Sequence, residues 1–155
     1  MSKILAFGAS SSNNSMNKKL ASFVAKKIAP QEAVHIDLND YEMPIYRDDR
    51  KKADGILEKA YECKNLIKAS DGIVISLAEH NGSYTAAFKN IYDWVSVIEE
   101  IVWNYKPILL LSASNGSRGG KSVMSAALLR FSIQSKFEIP NFSLPKFEEN
   151  FSDKE

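Results

Sequence analysis

The sequence predicts a three-layer α/β/α fold built on a five-stranded parallel sheet. Two observations support this prediction: apolar runs alternate with helical periodicities along the chain, and the apolar runs are almost continuous. Strands that alternate with helices are typical of parallel sheets, and continuous apolar strands are those buried on both faces. Because 155 residues are the length of one domain, we expect a single domain over residues 1–155.

The predicted elements follow in order from the apolar runs and the turn residues between them. The strands are expected at residues 4–7, 33–38, 72–77 and 107–113, with a short fifth strand within 137–144. The first helix is predicted from Leu20, Phe23, Val24 and Ile28 at helical spacing and ends before Pro30. Further helices are expected at 56–69, 85–105 and 121–135, and the polar stretch 39–52 is predicted to be an irregular excursion.

The helix predicted at 85–105 carries a stripe of apolar residues that we expect to face the sheet. The stripe consists of Phe88, Ile91, Val95, Ile98 and Val102. Tyr92, Trp103 and Tyr105 lie off this stripe, and exposed aromatic residues beside an apolar stripe are typical of protein interfaces. A helix that is buried more widely than usual is the equally weighted alternative.

Composition excludes several classes of protein. Twenty Lys and Arg residues face nineteen Asp and Glu residues, giving a net charge of +1, which disfavours nucleic-acid binding by bulk charge. The single cysteine, Cys63, excludes an intramolecular disulfide framework and a cysteine-built metal site. The amino terminus lacks a signal-peptide pattern and no stretch has the roughly 20 apolar residues of a membrane span. We therefore expect a cytoplasmic protein.

Glycine-containing loops follow the first, third and fourth predicted strands. In open parallel sheets, ligands bind at the carboxyl ends of the strands, so these loops are the candidate site. Five of the seven glycines lie in or beside them: Gly8, Gly82, Gly116, Gly119 and Gly120. Tight turns alone could require these glycines, but three such loops on one edge favour a ligand site.

The first loop, residues 9–17, contains four serines, three asparagines and no charged residue, and it leads directly into a helix. Hydroxyl groups and free N–H groups at a helix N-terminus are suited to a phosphate. The alternative is that Ser15 or Asn14 only caps the helix. The loop lacks the G-x-G-x-x-G pattern of Rossmann-type dinucleotide binding.

The second and third loops, residues 78–87 and 112–120, offer backbone amides and few charges, which suits a planar heteroaromatic ligand. On its own, His80 would be read as an exposed loop histidine. Gly119-Gly120-Lys121-Ser122 is similar to a phosphate-binding P-loop, but Asn115 occupies the position of the required first glycine. Nucleoside triphosphate binding is therefore disfavoured.

At these three loops the sequence resembles the NADPH-dependent FMN reductase family. The family's phosphate loop, Gly-Ser-x-Arg-x-x-Ser-x-Asn, corresponds to residues 9–17, where Ser10, Ser15 and Asn17 keep the pattern and Ser12 replaces the arginine. Its second loop, Pro-Glu-Tyr-Asn-Gly-Ser, corresponds to residues 78–83, and the following Lys-Asn-x-x-Asp-Trp helix to residues 89–94. Residues 114–120 are similar to the family's third loop, and residues 40–46 to its segment after the second strand.

The resemblance implies a flavodoxin-like fold with strand order 2-1-3-4-5 and an FMN-containing oxidoreductase. Hydride would pass from NADPH, or NADH, through flavin N5 to a quinone, azo, flavin or similar acceptor, with no catalytic side chain and no metal. The implied cofactor-binding residues are Ser10, Ser12, Ser15, Met16, Asn17, Ala78, Glu79, His80, Asn81, Gly82, Ser114, Asn115, Gly116 and Gly119. It also implies a homodimer through the helix 85–105. The charge balance and the lack of a membrane-spanning stretch predict no nucleic-acid or membrane partner.

Two other functions remain open from the sequence. A flavodoxin-type electron carrier would use the same fold without a pyridine-nucleotide step, although the near-neutral charge disfavours an acidic docking face. A flavin-free binding module of the same fold is the second alternative, since Ser12 replaces the arginine of the family's phosphate loop.

Overall fold

The computed structural model describes residues 2–152. The strands are β1 (Ile4–Ala9), β2 (Ala33–His35), β3 (Gly72–Leu77), β4 (Ile108–Ala113) and β5 (Asn141–Leu144). The α-helices are α1 (Met16–Ile28), α2 (Asp48–Asp54), α3 (Glu58–Ala69), α4 (Ala86–Ser96), α5 (Lys121–Ile133) and α6 (Phe147–Asn150), and Leu38–Tyr41 forms a 3-10 helix. Within these residues, no helix combines the length and apolar character that a membrane span requires.

The five strands form one parallel sheet in the order β2-β1-β3-β4-β5, which confirms the predicted fold. Helix α1 packs on one face through Leu20 and Ala21, together with Phe147 of α6. Helices α3, α4 and α5 cover the opposite face, where Ala60, Phe88 and others form the larger apolar cluster. The sheet therefore has helices on both faces, and its carboxyl edge is formed by the loops after β1, β3 and β4.

Two predicted boundaries are wrong because polar groups end the regular structure early. Strand β2 ends at His35 rather than reaching residue 38, since Asp37 accepts a hydrogen bond from the Asn39 N–H at 2.9 Å and starts the 3-10 helix. Helix α4 ends at Ser96, whereas the apolar periodicity predicted a helix as far as residue 105.

The segment 97–105 leaves the helix because Lys64 of α3 binds its carbonyl groups. The Lys64 ammonium, 1% exposed, donates to the carbonyl oxygens of Ile101 and Val102 at 3.0 and 2.9 Å. Further on, Asn104 and Tyr105 have positive φ values of 50° and 56°, which a right-handed helix does not allow. A buried cation therefore stabilises an irregular loop where the sequence pattern alone predicts helix.

This loop places Trp103 in the interior, so for Trp103 the alternative of wider burial holds and that of an exposed interface residue does not. Its side chain is 5% exposed, and its ring lies 6.4 Å from Phe88 and 5.2 Å from Phe131, between centroids. Tyr92 joins the same cluster, 5.8 Å from Trp103. Tyr105 remains exposed, at 40%.

Glu99 anchors the same loop and gives the fold a predicted pH dependence. The pKa of Glu99 is lowered from 4.5 to about 2, first by the hydrogen bond from Lys68 and then by that from Asn104. Because the folded-state pKa is depressed, the carboxylate's stabilisation is complete above the ordinary pKa and is lost as the pH falls from 4.5 towards about 2.

We therefore expect Glu99→Gln to destabilise the protein at neutral pH and progressively less as the pH falls through that window. Urea unfolding of both proteins at a series of pH values measures the difference in unfolding free energy. A constant difference across the whole series would contradict this assignment.

Candidate functional site

The first loop ends at the start of α1, where backbone N–H groups are left without an acceptor. Ser15 caps this helix, its Oγ accepting a hydrogen bond from the Lys18 N–H at 3.1 Å. Among the described residues, no acceptor pairs with the N–H groups of Met16 and Asn17, and the first turn of α1 has no acidic residue. Gly8 allows this close approach, since a Cβ there would lie 2.3 Å from the Lys18 nitrogen. The result is an N-terminus ready for an anion.

Asn17 fixes this N-terminus to the two central strands. Its side chain is 2% exposed, its Nδ2 donates to the Ala113 carbonyl at 3.3 Å, and its Oδ1 accepts from the Ser76 hydroxyl at 2.7 Å. The side-chain amide is thus occupied within the protein, and Asn17 can offer a ligand its backbone N–H. The loop after β1 is thereby held against the ends of β3 and β4.

Lysines raise the electrostatic potential around this loop. A cavity of about 650 Å³ runs from the loop along the outer side of α1, and its lining includes Lys18, Lys19, Lys26 and Lys27 but no acidic residue. Lys18 pairs with Asp37, whose pKa it lowers. Of the other lysines, Lys19 lies near the helix N-terminus and favours an anion there, whereas Lys26 and Lys27 lie in the last turn of α1.

The second loop is a tight hairpin whose tip is exposed. His80 and Ser83 exchange two backbone hydrogen bonds of 3.0 and 3.2 Å, and Asn81 and Gly82 between them have φ values of 53° and 77°. Positive φ at both central residues is the type I′ turn that Asn-Gly favours. The tip therefore presents its backbone amides and the His80 side chain at the carboxyl edge.

Thr85 joins this hairpin to the first loop, a connection that the sequence analysis missed. Its Oγ1 donates to the Ala9 carbonyl at 2.8 Å and accepts from the Phe88 N–H at 3.2 Å, which also caps α4. Beside it, burial raises the pKa of Tyr84 to about 12, so this phenol stays protonated at neutral pH. A Thr at the first position before a helix is the signal that could have found this cap.

The third loop is supported by residues that follow β5. The Gly116 and Ser114 carbonyl oxygens accept from the N–H groups of Lys146 and Phe147 at 3.0 and 3.1 Å. The Asn115 side chain makes two hydrogen bonds of 3.3 Å with Glu148: its Nδ2 donates to the Glu148 carboxylate, and its Oδ1 accepts from the Glu148 N–H. The short helix α6, which the sequence analysis did not predict, therefore holds this loop in place.

Serines inside apolar strands supply two further supports that the sequence analysis did not use. Ser112 of β4 donates to the Gly119 carbonyl at 2.7 Å, and Ser76 of β3 donates to Asn17 as described. Gly119 itself packs against β5, where a Cβ would lie 2.7 Å from the Pro145 nitrogen. A hydroxyl in an otherwise apolar buried run must find a partner, and this was the available signal.

The predicted cofactor residues all lie in the three loops at this edge or in the strand and helix ends beside them, with different degrees of exposure. Ser12, His80, Asn81, Gly82, Asn115 and Gly116 are exposed; Met16, Glu79 and Ser114 are half-buried; Ser10, Ser15, Asn17, Ala78 and Gly119 are buried. The Glu79 carboxylate accepts from the Val123 N–H of α5 at 2.8 Å, so it is used within the protein. Arg118 is exposed and donates to Ser122 at 3.0 Å.

The donor set of this edge fits an FMN molecule. Its phosphate dianion matches the free N–H groups and hydroxyls at the start of α1. Its uncharged ring matches the exposed amides of the second and third loops, where the described residues place His80, Arg118 and few other ionisable groups. In the described residues, no group of three or more His, Cys, Asp or Glu side chains could hold a metal ion.

Comparison with known proteins agrees with this arrangement. The family model of the NADPH-dependent FMN reductases matches residues 2–149. An NADPH azoreductase from Bacillus sp. (strain OY1-2) is 36% identical over 104 residues, which are 66% of this chain and 56% of the relative. A quinone reductase from Escherichia coli (strain K12) is 30% identical over 79 residues, which are 51% of this chain and 42% of the relative. The chain thus spans about half the length of these curated relatives.

Solved structures of similar fold cover nearly all of the chain. The flavoenzyme FerB, an NAD(P)H:(acceptor) oxidoreductase from Paracoccus denitrificans, superimposes with a TM-score of 0.71 at 23% identity, over 100% of this chain and 78% of that one. An FMN-dependent NADH-azoreductase from Bacillus anthracis in complex with FMN gives 0.68 at 16% identity, over 94% and 88%. At these identities the likeness shows the fold, whereas the family model spans almost the whole sequence. The chain belongs to the NADPH-dependent FMN reductase family.

Proposed function

We propose that this protein is an NAD(P)H-dependent oxidoreductase that holds FMN at the carboxyl edge of its sheet. The observation that carries this proposal is the start of α1, a 13-residue helix with free N–H groups, no acidic residue in its first turn and hydroxyl groups beside it. The start of α1 adjoins the second and third loops, which carry few charges. One ligand with an anionic tail and an uncharged ring therefore fits the helix start and the two loops together. Membership of the family supports the same ligand.

At the phosphate end, the chain binds with neutral donors rather than with an arginine. Ser10, Ser12 and Ser15 carry the hydroxyls, and the Ser10 Oγ accepts a hydrogen bond from the Ser12 N–H at 3.1 Å, which orients the Ser10 hydroxyl. Neutral donors at a helix N-terminus hold a dianion through hydrogen bonds and the helix dipole. The lysines of α1 add long-range attraction, so we expect affinity for FMN to fall with ionic strength.

At the ring end, the exposed backbone amides of residues 81–82 and 115–116 are suited to hydrogen-bond the edge of a planar group. FMN held there would supply the hydride chemistry at its N5 between NADPH or NADH and a quinone, azo, flavin or similar acceptor. The chain's residues therefore bind and orient, and no side chain has to act as a nucleophile or a general base. Cys63 is no candidate, since burial raises its pKa to about 12.

We further propose a homodimer that pairs through the region 85–105. Most of α4 is used within the protein's own core, so the surface available for pairing is formed by its exposed positions, Ala86 and Lys89, and by the loop that ends at Tyr105. Family membership supports this proposal, and the measured mass in solution tests it.

The test of the proposed function is the reaction of the purified protein with NADPH under anaerobic conditions. We expect a yellow protein that contains FMN and loses its flavin absorbance when NADPH or NADH is added, and recovers it when a quinone follows. Bound FMN that neither nucleotide reduces would contradict the proposal and favour an electron carrier. A protein that binds no FMN even when it is supplied in excess would favour a flavin-free module.

A further inference from the structure

Helix α5 begins at the candidate site without a cap of its own. Its first flanking residue is Gly120, with φ of 80° and no side chain to accept a hydrogen bond, and its first turn has no acidic residue. Lys121 stands at the first helical position, where a positive charge opposes the helix dipole. A 13-residue helix that starts this way leaves several N–H groups in need of an acceptor.

The acceptor comes from the second loop. Glu79 directs Oε1 to the Val123 N–H at 2.8 Å, across 44 positions of sequence, and its side chain is half-buried. A carboxylate at this place stabilises the positive end of α5 in the way that an acidic cap within the helix would. Glu79, a residue of the second loop, thus caps the helix that follows the third loop.

This contact joins the two loops between which the planar ligand is proposed to lie. Within residues 2–152, it is the only hydrogen bond between the hairpin 78–84 and the segment 114–123. The hairpin is otherwise tied to its own residues and, through Thr85, to the first loop, and the third loop is tied to residues 144–148 and, through Ser112, to β4. Beyond the pairing of β3 with β4, Glu79 is therefore the residue whose hydrogen bond holds the two loops together.

The same contact gives the starts of α5 and α1 different electrostatic environments. The start of α5 is already occupied by the carboxylate, whereas the start of α1 is free of acidic residues. An anionic group is therefore directed to α1, and the neutral part of the ligand to the space beside α5. We infer that Glu79 is a positioning residue, one that helps to fix the spacing of the two ring-binding loops by capping α5; this inference rests on the proposed function for the identity of the ligand.

Variants of Glu79 distinguish the effect of its side-chain length from the effect of its negative charge. Glu79→Ala removes the acceptor, Glu79→Asp shortens the side chain by one methylene so that it no longer reaches Val123, and Glu79→Gln keeps an acceptor oxygen at the same reach. Glu138→Ala is the matched control, because Glu138 is exposed and precedes β5 at the opposite edge of the sheet. Glu79→Asp serves in place of Glu79→Ala if the alanine variant does not fold.

Amide hydrogen exchange in the flavin-free protein tests the hydrogen bond between Glu79 and Val123 without any cofactor. We expect the Val123 amide to exchange about tenfold faster in Glu79→Ala and Glu79→Asp. Glu79→Gln and Glu138→Ala should match the parent protein. Equal exchange in all variants would overturn the capping role.

Titration with FMN, followed by flavin fluorescence and visible circular dichroism, tests the positioning role. We expect Glu79→Ala and Glu79→Asp to weaken FMN binding about tenfold and to change the dichroism of the bound ring. Glu79→Gln should restore both to within about threefold of the parent. If the parent binds FMN and Glu79→Asp binds it equally well with an unchanged spectrum, the positioning role is refuted. If the parent itself binds no FMN, the proposed function fails, and the exchange experiment still decides the capping role.

Discussion

Ser15→Asp is expected to weaken FMN binding by about a hundredfold, because a carboxylate about 5 Å from a phosphate costs about 3 kcal/mol per charge pair at an effective dielectric of about 20. The fold should survive, since Asp caps helices as well as Ser does and Ser15 already accepts from the Lys18 N–H at 3.1 Å. Fluorescence titration of the flavin-free variant with FMN measures the loss.

Ser15→Asn is the control for this change. Asparagine is nearly isosteric with aspartate, caps helices equally well and carries no charge, so it should keep the affinity for FMN within about threefold of the parent. Thermal unfolding of both variants checks that the helix is intact. Equal FMN affinity in the Asp and Asn variants would show that no anion lies at the start of α1.

Lys64→Met is expected to lower the free energy of unfolding by about 3–4 kcal/mol. The Lys64 side chain is 1% exposed and its ammonium binds the Ile101 and Val102 carbonyls and Glu99, at 3.2 Å. Methionine fills a similar volume, so the loss comes from carbonyl oxygens left without a partner. Urea unfolding at neutral pH gives the value.

Lys68→Met tests whether the burial of Lys64 is the reason for the large loss of stability expected in Lys64→Met. Lys68 pairs with the same Glu99, but its side chain is 47% exposed, and exposed ion pairs contribute about 1 kcal/mol or less. We expect this variant to be destabilised by no more than that amount. A loss as large as that of Lys64→Met would assign the stabilisation to Glu99 rather than to the buried carbonyl contacts.

The sequence was sufficient to predict elements whose bounds are set by local chemistry. Strand β3 was predicted with the bounds it has, because Gly72 and the polar loop that begins at Glu79 limit a mostly apolar run. The end of α4 was wrong because apolar spacing continues through residue 102, and the reason for the break lies in Lys64, on another helix. Helix α6 has four residues, too few for a periodic pattern.

The site shows the same division. The capping role of Ser15 was one alternative offered by the sequence, and the structure has it. The Asn81-Gly82 turn was not predicted, although its two residue types are those that a type I′ turn favours. The role of Glu79 could not be predicted, since its partner Val123 becomes a neighbour only when β3 and β4 pair. Loop contents were therefore predictable, and the contacts between loops were not.

The most direct test of the account maps FMN onto the chain by amide chemical shifts. Adding FMN to the labelled, flavin-free protein should shift the amides of residues 10–17, with the largest change at Met16 and Asn17, and those of residues 80–83 and 114–118. Inorganic phosphate alone should shift the first group and leave the other two unchanged. Shifts confined to other surfaces, or none at the start of α1, would contradict the central claim that this helix N-terminus and the two neutral loops together bind the flavin.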